Sequence, residues 1–307
     1  MNAPLTGSQS IESSVASNRD SGEPNREHQF AFAHDFAQLS DGNCCYRIDG
    51  AAGGPMVLLI HGATVLAWEF DRIVPYFVAA GICTLRFDLF GHGYSDRPAV
   101  PHSLALFRRQ TLELLDYLKI QEPISILGHS LGAAIAAEVS LAQPQRVKRL
   151  ILVAPLLDFF ATAPAAKLLK TPLLGELLVK TYVLPMLVRR RRSRYRNIEG
   201  GRLIPLFLEQ LSISGFESSL LSLFRNGALE DQSARYAALD SDSCPVLLVR
   251  GGDDTILPLS QFRHIASLVE GSDTLQVEGL SHAMLLTDPE AIASDLLIWL
   301  AEVSGTR

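Results

Sequence analysis

Apolar and polar positions follow two rhythms along this chain, and the changes of rhythm mark its elements. Phe30, Phe32 and Phe36 begin a period-two pattern, Ser40-Asp41-Gly42-Asn43 reads as a turn, and Cys44 to Ile48 reads as a second strand. Met56-Val57-Leu58-Leu59-Ile60 is apolar without alternation, as in a strand covered on both faces. A helical stretch from Trp68 to Ala80 and a strand over Ile82 to Phe87 follow. Residues 104–119 set Leu104, Phe107, Leu112, Leu115 and Leu118 at helical spacing. Ile124 to Leu127 is a further buried strand, the small-residue run Ala133 to Ala137 suits a closely packed helix, and Val147 to Val153 is a strand again.

The rhythm breaks after Pro155 and resumes at Val246-Leu247-Leu248-Val249, with a helix over 259–269, a strand at Thr274 to Val277 and a helix over 289–303. Strands alternating with helices predict an α/β fold around a mostly parallel sheet. A compact domain does not carry a structureless loop of the intervening length, so residues 155–240 are predicted to be a helical cap, or lid. The core is then 29–154 plus 241–307. Residues 1–28 are polar and rich in Ser, Asn and Glu, which predicts a disordered tail.

Composition narrows the function. The chain has 307 residues, 48% of them hydrophobic and 20% charged, which suits a soluble globular enzyme with a sizeable core. A net charge of −6 gives no reason to expect nucleic acid as a partner. Cys44, Cys45, Cys83 and Cys244 have no metal-ligand or C-x-x-C spacing, and the N-terminus carries no apolar signal core. A reduced, cytoplasmic protein without a metal site is the expectation.

The chemistry centres on Gly128-His129-Ser130-Leu131-Gly132, a G-x-S-x-G motif between a predicted strand and a predicted helix. A serine hydroxyl is a poor nucleophile at neutral pH until a base accepts its proton, and that base is usually a histidine held by a carboxylate. His28 and His34 fall early in the chain, and His102 and His264 in a loop and on a helix. His61, His92 and His129 sit in turns near the strand ends, poorly placed to act as the base. His282, in Glu278-Gly279-Leu280-Ser281-His282, follows the last strand, where ligand crevices of parallel sheets form. The orienting acid should also follow a strand. Arg250-Gly251-Gly252-Asp253-Asp254-Thr255 supplies two aspartates, of which Asp254 is preferred; Asp158 is a distant third.

These stretches resemble the α/β-hydrolase superfamily, in the branch of small esterases, monoacylglycerol-type lipases and C–C-bond hydrolases. Leu59-Ile60-His61-Gly62, Phe87-Asp88-Leu89-Phe90-Gly91-His92-Gly93-Tyr94-Ser95-Asp96, the Ser130 motif, Gly251 to Pro258 and Gly279 to His282 carry the likeness over residues 57–282. The resemblance implies Asp254 as the acid, Ser130, Asp254 and His282 as a catalytic triad, and the backbone N–H groups of Ala63 and Leu131 as an oxyanion hole. It implies no cofactor. C–C hydrolases usually carry a glycine-rich stretch after His-Gly; here it is Ala63-Thr64-Val65, which favours ordinary ester hydrolysis. Dehalogenases and epoxide hydrolases of this superfamily place aspartate at the elbow, so Ser130 argues against both. Gly91-His92-Gly93 has no third glycine at dinucleotide-binding spacing, and reads as a tight turn.

Within the insertion, Thr171-Pro172 reads as an N-cap followed by proline at the first helical position. Leu173 to Leu184 is apolar almost all round, and Arg189 to Arg192, Arg194 and Arg196 follow. Leu173, Leu177 and Leu178 are the expected substrate contacts under the cap. Contact of 173–196 with an anionic membrane surface is a second reading; a solvated basic end is preferred. The expected function is cleavage of a small-molecule carboxylic ester with an apolar part through an acyl-enzyme. The alternatives are the same triad acting on a lactone, a thioester or a C–C bond beside a ketone, and a non-catalytic binding protein of the same fold.

Overall fold

The computed structural model describes residues 34–302, apart from 52, 197, 199 and 200. The predicted tail over 1–28, with Phe30 and Phe32, lies outside the described residues. Eight strands form one sheet: β1 (Asp35–Leu39), β2 (Gly42–Asp49), β3 (Met56–Ile60), β4 (Cys83–Phe87), β5 (Ile124–His129), β6 (Val147–Val153), β7 (Val246–Gly251) and β8 (Asp273–Val277), in spatial order β1-β2-β4-β3-β5-β6-β7-β8. Only β2 runs against its neighbours; β4 onwards is parallel. The strands read as continuously apolar are the ones buried on both faces. All residues of β4, β5 and β7 are buried, whereas the edge strand β8 is exposed at Asp273, Thr274 and Gln276.

Helices α1 (Val74–Ala79), α2 (Leu104–Tyr117) and α3 (Leu131–Ala142) connect the first parallel strands. The predicted helix 68–80 is in fact a 3-10 turn over Ala67–Phe70 and then α1, whose Pro75 sits in the first turn, where no N–H is needed. Helix α2 is capped by Ser103, whose hydroxyl accepts from the Leu106 amide.

Between β6 and β7 lies an all-helical insertion: α4 (Phe159–Thr162), α5 (Leu174–Leu178), α6 (Leu184–Tyr195), α7 (Leu203–Ser212), α8 (Phe216–Arg225) and α9 (Ser233–Ala237). Helices α10 (Leu259–Leu268), α11 (Met284–Thr287) and α12 (Glu290–Glu302) complete the chain. Val179, Phe216, Leu220 and Phe224 of the insertion are buried in the same apolar cluster as the sheet. The expected cap by Thr171 does not form. The helix starts at Leu174, after Leu173 in a left-handed conformation at φ 66°, and the Thr171 carbonyl accepts from the Gly175 amide. A π-helical turn over Val179–Val183 joins α5 to α6. No helix among the described residues is long and apolar enough to cross a membrane. All four cysteines are buried, free thiols.

The sheet meets α3 at backbone contact. A Cβ on Gly132 would stand 2.0 Å from the Ile60 carbonyl oxygen, and one on Gly128 would stand 2.2 Å from that of Gly132. Neither obstacle is a side chain that can rotate away, so α3 can sit against β3 and β5 only with glycine at both positions. Gly132→Ala should therefore cost about 3 kcal/mol, the upper end for overpacking, measured from the urea midpoint. A wild-type midpoint would mean that helix and strand do not approach so closely.

Candidate active site

At the end of β5 the chain turns into α3 through Ser130, which holds φ 55° and ψ −113°. Few non-glycine residues tolerate such a backbone, and it is retained here by surrounding bonds. The Ser130 amide donates to the Val153 carbonyl at 2.9 Å, and its own carbonyl accepts from Ala133 at 3.1 Å and Leu156 at 3.2 Å. Ser130 thereby belongs to the carboxyl edge of the sheet rather than to the helix.

Two later loops close on the same edge. The Gly252 amide donates to the Val277 carbonyl at 2.7 Å and the Asp253 amide to the Leu280 carbonyl at 2.9 Å, which joins the loop after β7 to the loop after β8. Across that junction His282 Nδ1 lies 2.8 Å from Asp254 Oδ2. The other carboxylate oxygen, Oδ1, accepts from the amides of Ile256 at 2.8 Å and Leu257 at 2.9 Å. Asp254 is buried, whereas Asp253 is exposed. Burial pushes the Asp254 carboxyl up, but His282 and the two amides outweigh it and hold its pKa below the usual value. Burial dominates at His282 and holds its imidazole below 6.5, against the upward pull of Asp254. His282 is thus a neutral ring at pH 7. Its Nδ1 proton faces the carboxylate, which leaves Nε2 unprotonated.

Ser130 and His282 line one cavity of about 210 Å³, together with Gly62, Ala63 and Leu131. Among the described residues neither the Ala63 nor the Leu131 amide donates to an internal acceptor. Leu156, Phe159, Leu220 and Phe224 form an apolar wall. On the cap side stand Val183, Met186 and Leu187, followed by Arg190, Arg191 and Arg194. Leu173, Leu177 and Leu178 are elsewhere. The first two are 85% and 58% exposed, and Leu178 packs partly buried against the core.

The sequence reading overlooked a second carboxylate–histidine pair. Glu69 Oε1 lies 2.9 Å from His129 Nδ1, and both side chains are buried. Glu69 Oε2 accepts from the Gly62 amide at 3.1 Å, and His129 Nε2 donates to the His282 carbonyl at 2.8 Å. The pair therefore connects the Gly62–Ala63 segment, the Ser130 turn and the His282 loop. Burial opposes charge on both groups, yet their mutual attraction prevails: the Glu69 pKa lies below, and that of His129 above, the ordinary value. An acid inside the otherwise apolar run Val65 to Phe70 was the one signal available in the sequence. His61 and His92 serve structurally: His61 Nε2 accepts from the Leu89 amide at 2.9 Å, and His92 packs edge-on against it.

The sequence profile of the alpha/beta hydrolase family matches residues 57–295. The chain belongs to that family. Among relatives of this alpha/beta hydrolase, a non-heme chloroperoxidase of Streptomyces lividans is 26% identical over 85% of this chain and 97% of its own length. The (E)-2-((N-methylformamido)methylene)succinate hydrolase of Acinetobacter baylyi is 27% identical over 86% and 96%. A solved hydrolase from Pseudomonas aeruginosa is 26% identical and superposes with a TM-score of 0.68 over 88% of this chain and 99% of that one.

The Glu69–His129 pair makes a prediction with a definite sign. A depressed carboxyl contributes stability above the ordinary Glu pKa of about 4.3, and a raised histidine contributes it below about 6.5. The pair's contribution is therefore fullest between those values and is lost as pH rises through the folded pKa of His129. By NMR, His129 should titrate above 6.5 in the wild type and below it in Glu69→Gln, where burial acts without the anion. Breaking a buried pair costs about 3–5 kcal/mol, so Glu69→Gln should also be less stable near pH 6. An unchanged His129 titration would show that the pair is not ionic.

Proposed function

We propose that this alpha/beta hydrolase is a serine esterase that cleaves a compact carboxylic ester through an acyl-enzyme. The observation that carries the reading is the convergence of Ser130, on its strained turn, and the His282–Asp254 hydrogen bond on one cavity. Ser130 Oγ attacks the ester carbonyl while His282 Nε2 takes its proton. The tetrahedral oxyanion is held by the Ala63 and Leu131 amides, which have no competing internal acceptor. His282 then returns the proton to the departing alcohol, leaving an acyl group on Ser130. Water, deprotonated by His282, attacks the acyl carbon, and the acid and the free serine are released. Asp254 keeps Nδ1 protonated and matches the charge that His282 acquires at each step. Every step uses groups of this chain, so the reading requires no cofactor.

The cavity supports a small-ester substrate over a long-chain lipid, since drug-sized ligands usually occupy about 300–1,000 Å³. Residues 155–240 act as its cap, with Val183, Met186 and Leu187 as the apolar contacts in place of Leu173, Leu177 and Leu178.

Ser130→Ala should abolish both ester turnover and covalent labelling by a fluorophosphonate while leaving the fold intact. Labelling that persists in a folded Ser130→Ala protein would remove this serine as the nucleophile. Asp254→Asn should slow kcat by about 10⁴-fold, the loss seen when the orienting acid of a serine protease is neutralised, whereas Asp253→Asn should leave turnover near normal. The reverse order would transfer the role to Asp253. Because His282 acts as a base only when neutral, kcat/KM should rise with pH through a midpoint below 6.5. A midpoint above 7 would show that burial does not govern this imidazole.

A further inference from the structure

The arginine run divides between two faces of α6. Arg189, Arg192 and Arg196 border a shallow outer groove, whereas Arg190, Arg191 and Arg194 border the cavity that holds Ser130. Val183, Met186, Leu187, Arg190, Arg191 and Arg194 are spaced as one helical stripe, apolar at its start and cationic at its end. Elsewhere the protein matches arginines with carboxylates: Arg108 and Arg235 on Glu138, Arg146 on Asp116, Arg225 on Glu176. Among the described residues, none of the three cavity arginines has such a partner. Arg190 and Arg194 stand four residues apart, a like-charge spacing that destabilises a helix. Desolvation, with repulsion from Arg191 and Arg190, holds the Arg194 pKa below its ordinary value.

Arg191 is oriented without being neutralised. Its guanidinium donates to Tyr195 Oη at 2.6 Å and to Thr64 Oγ1 at 3.1 Å, and lies 5.4 Å from the Tyr195 ring and 5.6 Å from that of Phe207. Tyr195 is fully buried and meets Trp68 edge-on, which fixes this end of α6. Two of five N–H donors are occupied by neutral oxygens, and the others remain for a ligand. Glu69, which lines the same cavity, and Asp254, which acts on Arg194, are already matched by His129 and His282. Thr64 adjoins Ala63, so the cationic end of the stripe lies beside the oxyanion amides and the apolar end reaches towards the wall of Leu220 and Phe224.

We propose that Arg190, Arg191 and Arg194 bind a carboxylate carried by the substrate itself, a few bonds from the ester carbonyl. The preferred substrate is then the ester of a short dicarboxylic acid or hydroxy acid rather than a neutral ester. Guanidinium forks match a carboxylate through paired hydrogen bonds, and binding it relieves the repulsion among the three cations. This inference rests on the reading of Ser130 as a hydrolase nucleophile.

The test uses two irreversible probes of equal length, pentyl fluorophosphonate and its 4-carboxybutyl analogue, on the full-length protein. Ser130 Oγ attacks phosphorus, fluoride leaves, and the serine proton passes to His282, so the rate of labelling reports recognition independently of the natural leaving group. The carboxylate probe should react at least about tenfold faster with the wild type, as expected for a charge-assisted contact, and this preference should shrink with added salt. In the double variant R190Q/R194Q the ratio of the two rates should fall by about tenfold; a circular dichroism melt checks that the variant is folded. If the neutral probe labels Ser130 as fast as the carboxylate probe, or the ratio survives in R190Q/R194Q, the carboxylate site is refuted while the hydrolase reading stands. If neither probe labels Ser130, the hydrolase reading itself fails and the inference with it.

Discussion

A single backbone conformation sets the geometry of this protein's site. Ser130 can hold φ 55° only because α3 is pressed against β3 and β5, and α3 can be pressed there only because Gly128 and Gly132 present no side chain. The cost of the strained turn is of order 1–3 kcal/mol, and it is offset by the sheet, through the Val153 carbonyl, and by the chain beyond it, through the Leu156 amide. Once the serine is fixed at the carboxyl edge of β5, everything that reacts with it must arrive at the same edge. Parallel strands supply this directly, because β3, β6, β7 and β8 all end there. The Gly62–Ala63 segment, Asp254 and His282 follow β3, β7 and β8 in turn.

Two carboxylate–histidine pairs meet at that edge, and their histidines are shifted in opposite directions. Asp254 divides its charge between His282 and two backbone amides, and His282 stays below its ordinary pKa. Glu69 bonds a single amide, that of Gly62, and draws His129 upwards. The two rings lie 4.9 Å apart between centroids, so positive charge on His129 further disfavours a proton on His282. The buried Glu69–His129 pair thus acts on the His282 imidazole electrostatically as well as mechanically. It opposes protonation of His282, and it ties down the segment that carries Ala63.

What the sequence disclosed follows the distance over which each signal acts. The parallel strands, the Ser130 turn and the placement of His282 were readable because they are written in short contiguous runs. Asp254 could be preferred over Asp253, and the structure buries the one and exposes the other. The Glu69–His129 pair was not readable. Its members are 60 positions apart and meet only after β3 and β5 have paired. The insertion was recognised as helical but misjudged in detail. Thr171 does not cap, and Leu173 and Leu177 face outward. An apolar run shows that a helix must bury something; which face it buries depends on the phase of the helix. Here the π-helical turn at Val179–Val183 advances that phase just before α6 reaches the cavity.

That shift of phase determines the character of the cavity. A π turn accommodates an extra residue and rotates the following helix relative to the preceding one. In this protein it leaves Leu173, Leu177 and Tyr182 exposed and brings Val183, Met186 and Leu187 inward, so the cation-bearing end of the stripe follows them to the border of the cavity, where Arg191 is half-buried. Tyr195, buried against Trp68, then prevents α6 from rotating back. Arg191 is therefore held there by packing against Tyr195 and Phe207, while Arg190 and Arg194, on the same stripe, are exposed at the border of the cavity. A guanidinium placed by packing, with neutral oxygens as its hydrogen-bond partners, is a fixed positive field at the mouth of the cavity. Such a field draws anions towards the cavity in preference to neutral molecules.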